Sequence, residues 1–226
     1  MNILVACEES QSVTIEMRKL GHRAFSCDLI ECSGGHPEWH IIGDCEHLIN
    51  GSVMFQTMDG NLHMQQKAWD MIIAHPPCTY LTSAGSMWMF RFDVNGEKWI
   101  NADRYGKMRE AVRFFMRILQ ADCERICVEN PAPMHICELP AYDQIIEPYM
   151  FGHPYKKRTC LWLQGLPMLR ETDRVQPKFV WVDTGKGKLN RTKIGADKSR
   201  NARERSKTFP GIARAMAEQW AGRCEE

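Results

Sequence analysis

The sequence predicts an α/β fold in which a mostly parallel central sheet has helices on both faces. Three observations lead to this class. Short apolar runs alternate with helical stretches through the N-terminal half of the chain. Apolar residues between the runs recur at helical spacing, and polar side chains follow each run directly. In open parallel sheets the carboxyl ends of the strands are where ligands bind.

The first helix lies between the first two of five predicted strands. Val13, Met17 and Leu20 recur at helical spacing there, and Gly21 follows as a helix-ending glycine would. This is the pattern of a βαβ unit. The five strands are predicted at residues 2–6, 24–27, 40–42, 71–74 and 125–128.

Three more elements follow from apolar spacing. A helix at 105–120 precedes the fifth strand, a later strand covers 159–163, and a final helix at 210–221 begins with Pro210. We expect a catalytic core at 1–164, a small basic insert at 165–207, and a C-terminal helix at 208–226 that returns to the core.

The composition indicates an ordinary soluble globular protein, which we expect to be a monomer. Of the 226 residues, 44% are hydrophobic and 25% are charged, which is ordinary for a globular chain. No apolar run approaches the roughly 18 residues needed to cross a bilayer, and Met1 leads into the first strand without a basic region or cleavage site. We therefore expect a cytoplasmic protein with no membrane partner, and the ten cysteines are expected to be free thiols.

Positive charge is concentrated near the C-terminus. Between residues 186 and 207 there are nine basic and two acidic residues, whereas the whole chain has a formal net charge of only +1. This asymmetry predicts a segment that binds a polyanion. The residues expected to contact DNA are Lys186, Lys188, Arg191, Lys193, Lys198, Arg200, Arg203 and Arg205.

The most specific local motif is Pro76-Pro77-Cys78, directly after the fourth strand. Two prolines fix a rigid extended turn that holds the following thiol above the sheet edge. This pattern predicts a nucleophilic cysteine whose pKa is lowered by a neighbouring positive group or helix N-terminus. Glu129-Asn130 follows the adjacent fifth strand, so Glu129 is expected to face the same cleft as a carboxylic acid kept protonated by burial.

Two aspartates follow earlier strands. Asp28 ends the second strand, where a carboxylate can accept the ribose hydroxyls of a nucleoside cofactor, although a turn residue is the commoner role. Asp44 could accept the exocyclic amine of an adenine or simply cap the next segment.

Together these motifs resemble the DNA cytosine carbon-5 methyltransferases, most closely their short phage-encoded members. The resemblance spans most of the chain. The motifs that carry it are Ile3-Leu4-Val5-Ala6, Asp28, Gly43-Asp44, Pro76-Pro77-Cys78, Glu129-Asn130, Arg158 and Gly211-Ile212-Ala213, in the order seen in that family.

The resemblance implies a Rossmann-like, S-adenosylmethionine-dependent methyltransferase with a reduced target-recognition insert, acting on DNA in the bacterial host cytoplasm. It implies that Cys78 adds to carbon 6 of cytosine, that Glu129 hydrogen-bonds nitrogen 3, and that Arg158 holds the target base. The residues it assigns to the cofactor are Ala6, Cys7, Glu8, Asp28, Asp44 and Pro76, and those near the substrate are Pro77, Asn130, Lys156 and Lys157.

The sequence also departs from the family. Residues 6–11 replace its usual glycine-rich loop, Thr79 follows the cysteine where glutamine is common, and Pro131 follows Glu-Asn where valine is common. Several alternatives therefore stay open. The chain could methylate an amino group of cytosine or adenine, act on free cytosine nucleotides, or bind DNA or cofactor without chemistry.

A metal site is a further alternative. Six possible zinc ligands lie close in sequence, but none forms the paired Cys-x2-Cys pattern of a closed structural site. We therefore expect no bound metal. These residues are Cys27, Cys32, His36, His40, Cys45 and His47.

Overall fold

A computed structural model of the chain describes residues 1–50, 53–92, 94–183, 188–192 and 206–224. Seven of the described strands form one sheet in the order β10-β11-β9-β6-β1-β2-β3. The strands are β1 Asn2–Ala6, β2 Arg23–Asp28, β3 His40–Ile42, β4 Val53–Gln56, β5 Leu62–Gln65, β6 Met71–Ala74, β7 Phe90–Phe92, β8 Lys98–Ile100, β9 Ile126–Asn130, β10 Gln144–Ile146, β11 Thr159–Gln164, β12 Phe179–Asp183 and β13 Lys188–Thr192.

The central sheet is mostly parallel, as the sequence predicts. Five adjacent strands, β3, β2, β1, β6 and β9, run parallel to one another. Strand β11 is antiparallel to β9, and β10 is antiparallel to β11. The parallel part has the third, second, first, fourth and fifth parallel strands in that order, which is compatible with a Rossmann-like fold. The remaining strands pair as three separate hairpins, β4-β5, β7-β8 and β12-β13.

Helices cover both faces of the sheet, and this prediction is confirmed. Helix α1 is Ser12–Lys19, α2 is Ala102–Leu119, and α3 is Pro210–Met216, followed by a π-helical turn at Ala217–Ala221. Strand β1 contributes to two cores because its side chains alternate between faces. Leu4 packs with the α2 side, and Ile3 packs with the side covered by α1 and α3.

Several predicted boundaries shift in the structure. The fifth predicted strand continues to Asn130 because β11 pairs with its whole length, so Glu129 and Asn130 end the strand instead of following it. Helix α2 begins at Ala102 because the side chain of Asn101 accepts a hydrogen bond from the backbone N–H of Arg104. The C-terminal helix changes from α to π geometry after Met216.

The first part of the predicted basic insert packs against the core. Leu169 is buried, the indole N–H of Trp220 donates to the Pro167 carbonyl at 2.8 Å, and the side chain of Gln219 bonds both backbone groups of Arg170. The domain division at residue 165 stays a prediction. Within the described residues, the helices are all too short or too polar to cross a lipid bilayer.

Candidate active site

The Pro-Pro-Cys turn leaves the carboxyl end of β6 at the middle of the sheet. The backbone N–H of His75 donates to the Ala6 carbonyl at 3.0 Å, so the chain follows β1 for one residue beyond the strand. Pro76 is buried, Pro77 is exposed and Cys78 is half-buried. Cys78 therefore lies beyond the carboxyl end of β6 and is not fully buried, and its attack on a ligand stays a prediction.

The loop after β9 holds the turn that follows Cys78. The Cys78 carbonyl accepts hydrogen bonds from the backbone N–H groups of Leu81 and Thr82 at 3.0 and 3.2 Å. Thr82 forms an isolated bridge with Pro133, and the Met134 N–H donates to the Leu81 carbonyl at 2.7 Å. The loops after β6 and β9 therefore form one connected structure.

Asn130, the last residue of β9, holds the Pro-Pro-Cys turn through a hydrogen bond. Its side-chain amide donates to the Pro76 carbonyl at 2.7 Å, and the residue is only 2% exposed. Its side-chain oxygen is buried and has no hydrogen-bond partner among the described residues. The geometry shows Asn130 positioning the Pro-Pro-Cys turn, and its contact with substrate stays a prediction.

Glu129 forms a buried ion pair with His75. Nδ1 of His75 lies 2.8 Å from a carboxylate oxygen of Glu129, and the two side chains are only 10% and 12% exposed. Burial acts to lower the pKa of His75, but the bond to Glu129 outweighs it and the pKa is raised. Burial likewise acts to raise the pKa of Glu129, but His75 holds it below its ordinary value.

This pair corrects the expected state of Glu129. The sequence predicts a carboxyl kept neutral by burial, whereas the bond to His75 holds the pKa of Glu129 below its ordinary value, which favours the carboxylate. The reason is the neighbouring strand: β6 and β9 are parallel with Ala74 opposite Val128, so the next residues, His75 and Glu129, face each other.

The expected pKa of Cys78 is also wrong. Burial raises the pKa of the Cys78 thiol, and the negative charge of Glu129 raises it further. Lys157 acts in the opposite direction but does not outweigh them. The free protein therefore holds a protonated thiol near neutral pH. The same interaction shows that Cys78 and Glu129 lie close enough to affect each other electrostatically.

The residues before and in β11 alternate in the direction they face. The Thr159 hydroxyl donates to the Lys157 carbonyl at 3.0 Å, and Thr159 also helps to lower the pKa of Glu129. Lys157 acts electrostatically on Glu129, His75 and Cys78. The nitrogen of Lys157 also lies 3.5 Å from the Ser206 carbonyl. Lys157 is thus a cation that acts on all three groups, and its contact with substrate stays a prediction.

Arg158 and Lys156 lie on the alternate positions. Both are exposed, and both act electrostatically on Glu147, whose pKa burial raises. Lys156 also lies over the ring of Phe179, with 6.0 Å between its nitrogen and the ring centroid. Alternation therefore favours Lys157 over Arg158 as the cation nearest the thiol. The role of Arg158 in holding a base stays a prediction.

An open cleft lies beyond the carboxyl ends of β2 and β3. Its volume is about 650 Å³, and it is lined by Leu29, Ile30, Glu31, Cys32, Ser33 and Ile42. Three of the lining side chains are apolar and unusually exposed, namely Leu29 at 73%, Ile42 at 48% and Ile30 at 47%. A cleft with this lining can receive the flat, partly apolar face of a nucleobase.

Asp28 comes directly before the cleft-lining residues. It is half-buried, its carboxylate accepts a bond from the Ile30 N–H at 3.3 Å, and burial raises its pKa. Asp44, after β3, is exposed and accepts a bond from the Glu46 N–H at 2.9 Å. Asp44 therefore caps the following turn, which was one of its two predicted roles.

The residues after β1 are turned into the protein. The carboxylate of Glu8 accepts bonds from the Val13 N–H at 2.6 Å and from the Thr14 hydroxyl at 2.8 Å, so it caps helix α1. Cys7 has a positive φ of 58°. Hydrogen bonding to the free Cys45 thiol, together with burial, raises the pKa of Cys7. Cofactor contacts by these side chains stay predictions.

The predicted DNA-contacting residues lie mostly outside the described residues, which is the case for Lys186, Lys193, Lys198, Arg200, Arg203 and Arg205. The backbone at Lys188 and Arg191 belongs to β13.

As for metals, no cluster of three or more possible ligands occurs in the described part of the chain. Among the six residues of the zinc alternative, His40 is occupied by bonds to Ser26 and Ile30.

Sequence reasoning missed two residues of the site, His75 and Thr159. His75 bonds the Glu129 carboxylate from the neighbouring parallel strand, and Thr159, on the neighbouring antiparallel strand, helps to lower the pKa of Glu129. A signal for His75 was present, since it directly follows a predicted strand as Glu129 does.

No protein-family model matches this chain, and no curated protein matches it at a significant level.

Proposed function

We propose that this chain is an S-adenosylmethionine-dependent methyltransferase that modifies carbon 5 of cytosine in DNA. The observation that carries the proposal is the pairing of a half-buried thiol with a buried acid. Cys78 and Glu129 follow or end adjacent parallel strands, and each lies within the electrostatic influence of the other. A covalent attack on a ring that an acid polarises needs these two groups side by side.

The open cleft supports a nucleoside cofactor. Leu29, Ile30 and Ile42 offer apolar contact for a base, and the half-buried Asp28 carboxylate at the end of β2 can accept ribose hydroxyls. These residues fit S-adenosylmethionine and would hold its adenosine part. When bound, this cofactor supplies an electrophilic methyl group.

The thiol adds to the target ring only after the base has left the duplex, because carbon 6 is hidden in stacked DNA. The Cys78 thiol then releases its proton to water, Sγ forms a bond to carbon 6, and the ring electrons move to carbon 5 and towards nitrogen 3. The proton between His75 and Glu129 is available to that nitrogen. After the methyl group has been transferred to carbon 5, water takes the carbon 5 proton and nitrogen 3 returns its proton to Glu129. Cleavage of the sulfur–carbon bond then releases Cys78 as the thiolate.

Base binding itself activates the nucleophile in this scheme. The negative charge of Glu129 is one cause of the raised pKa of Cys78. When Glu129 is bonded to the ring, part of that charge is neutralised, and Lys157 then favours the thiolate with less opposition. The protonated thiol of the free protein is therefore compatible with catalysis.

The product identifies the reaction. The protein is incubated with duplex DNA and isotopically labelled S-adenosylmethionine, and the nucleosides are analysed by mass spectrometry. We expect the label in 5-methylcytosine. Label in N4-methylcytosine or N6-methyladenine would show amino-group chemistry, and label only in free nucleotides would exclude DNA as substrate.

Two cysteine variants make a matched pair for this experiment. Cys78→Ser should lower product formation by about 10³-fold or more, because the nucleophile is lost. Cys224→Ser should leave product formation unchanged. Cys224 is exposed, and its backbone N–H donates to the carbonyl of Leu20, which follows α1 and lies away from the candidate site. Equal activity of Cys78→Ser and the wild type would refute the covalent step.

A further inference from the structure

The β7-β8 hairpin carries large aromatic side chains in solvent. Trp88, just before the hairpin, is 63% exposed, Phe92 is 66% exposed and Trp99 is 48% exposed. A two-stranded hairpin buries little surface by itself, and exposed apolar patches of this kind mark interaction sites. We call the side chains of Trp88, Phe90, Arg91, Phe92, Lys98 and Trp99 the hairpin surface.

Cations lie over the rings of this surface. The strand register places Arg91 opposite Trp99, and the Arg91 guanidinium carbon lies 5.7 Å from the Trp99 ring centroid. The Lys98 nitrogen lies 3.8 Å from the centroid of Phe90. Each pair joins a flat apolar surface to a positive charge. Nucleic acid strands are bound by this combination, because bases stack on rings and phosphates bind the cations.

The base of the hairpin lies beside the candidate active site. The Asn101 N–H donates to the Met89 carbonyl at 2.9 Å and closes the hairpin at its root. The guanidinium of Arg104, in the first turn of α2, donates to the carbonyl of Thr79 at 3.1 Å. Because Thr79 follows Cys78 directly, this contact joins the start of α2, just after the hairpin, to the turn that carries the thiol.

We infer that the hairpin surface binds a single-stranded segment of nucleic acid by stacking, next to the base that enters the candidate site. This location rests on the proposed function. The local charge is nearly balanced, with four basic and three acidic residues between 86 and 107. Binding here therefore depends on stacking more than on counterion release, and it tolerates different base sequences.

An oligothymidine of about 12 nucleotides is a suitable probe, because it contains no cytosine and can still stack. Its affinity is measured by fluorescence anisotropy of an end label at raised salt, where the basic C-terminal segment contributes least. Trp99→Ala should weaken binding about tenfold, equivalent to about 1.4 kcal/mol. Trp99→Phe should keep most of the affinity.

The matched control is Leu62→Ala, which shortens an exposed apolar side chain, 72% exposed, on the separate β4-β5 hairpin. It should leave the affinity unchanged. Unchanged binding by Trp99→Ala would overturn the inference, as would a loss of affinity in Leu62→Ala as large as that in Trp99→Ala. A protein dimer that Trp99→Ala dissociates would also overturn it, because a second copy would then cover the surface.

The probe separates this inference from the proposed function. Cys78→Ser should bind oligothymidine as the wild type does, since no covalent step is involved. If binding depends on Trp99 but no 5-methylcytosine forms, the hairpin surface stands and the proposed reaction fails. If 5-methylcytosine forms and Trp99→Ala binds normally, the reaction stands and the hairpin surface fails.

Discussion

The buried pair of His75 and Glu129 is the strongest electrostatic feature of the candidate site. Taking two charges out of water costs several kcal/mol for each ion, and a close, well-aligned partner offsets this cost. The 2.8 Å separation provides that alignment. Nε2 of His75 is buried without a hydrogen-bond partner among the described residues, so the pair keeps one unsatisfied polar atom.

Removing one member of the pair should destabilise the protein more than removing both. His75→Gln leaves Glu129 buried without its cation, and we expect the free energy of unfolding at neutral pH to fall by about 3 kcal/mol. The double variant His75→Gln, Glu129→Gln should recover part of this loss. Urea denaturation of the wild type, both single variants and the double variant measures the coupling. Additive losses would mean that the pair does not interact.

The contribution of the pair should depend on pH. The pKa of His75 is raised above 6.5, so its contribution is complete below 6.5 and is lost as pH rises through the raised value. The pKa of Glu129 is lowered below 4.5, so its contribution is complete above 4.5 and is lost as pH falls through the lowered value. The stability difference between the wild type and the double variant should therefore be largest between pH 4.5 and 6.5. A difference that keeps growing above this window would contradict the assignment.

Only part of the site could be predicted from sequence. Pro76-Pro77-Cys78 and Glu129-Asn130 are local motifs, so their residue types were sufficient. His75 and Thr159 join the site through strand pairing, which depends on register. The protonation state of Glu129 differs from expectation for the same reason. The group that lowers its pKa is His75, which lies 54 positions earlier in the sequence.

At the scale of elements, apolar patterning predicted the central strands well. The bounds of β1, β3 and β6 match the prediction, since each is a short apolar run that polar or proline residues terminate. The hairpins β4-β5 and β7-β8 were missed because their strands are largely exposed and have no clear apolar alternation. Asp59-Gly60 and Asn95-Gly96 are hairpin-turn signals that mark both.

Two glycines in helices give a prediction for how α3 docks. A Cβ added at Gly211 would lie 1.9 Å from the Phe151 carbonyl oxygen, whereas one added at Gly106 in α2 meets nothing within 4 Å. Gly211→Ala should lower the free energy of unfolding by about 2 kcal/mol because the helix must shift. Gly106→Ala should raise it by about 0.5 to 1 kcal/mol. Chemical denaturation compares them, and equal effects would contradict the close approach of α3.

At the scale of the whole molecule, charge is distributed unevenly. The segment 186–207 carries a large positive excess, so the rest of the chain has a net negative charge. If about five phosphates are neutralised, log affinity for duplex DNA should fall with log salt at a slope near −4 to −5. A titration at several salt concentrations measures this slope. A flat response would argue against duplex DNA as the substrate.

The central claim is that the Cys78 sulfur bonds transiently to a cytosine ring. A duplex containing 5-fluorocytosine tests it most directly, because fluorine at carbon 5 blocks the final elimination and leaves the adduct in place. With S-adenosylmethionine present, the protein should form a covalent complex whose modified peptide contains Cys78, and Cys78→Ser should form none. An adduct at another cysteine, or no adduct from protein that methylates ordinary DNA, would contradict the account.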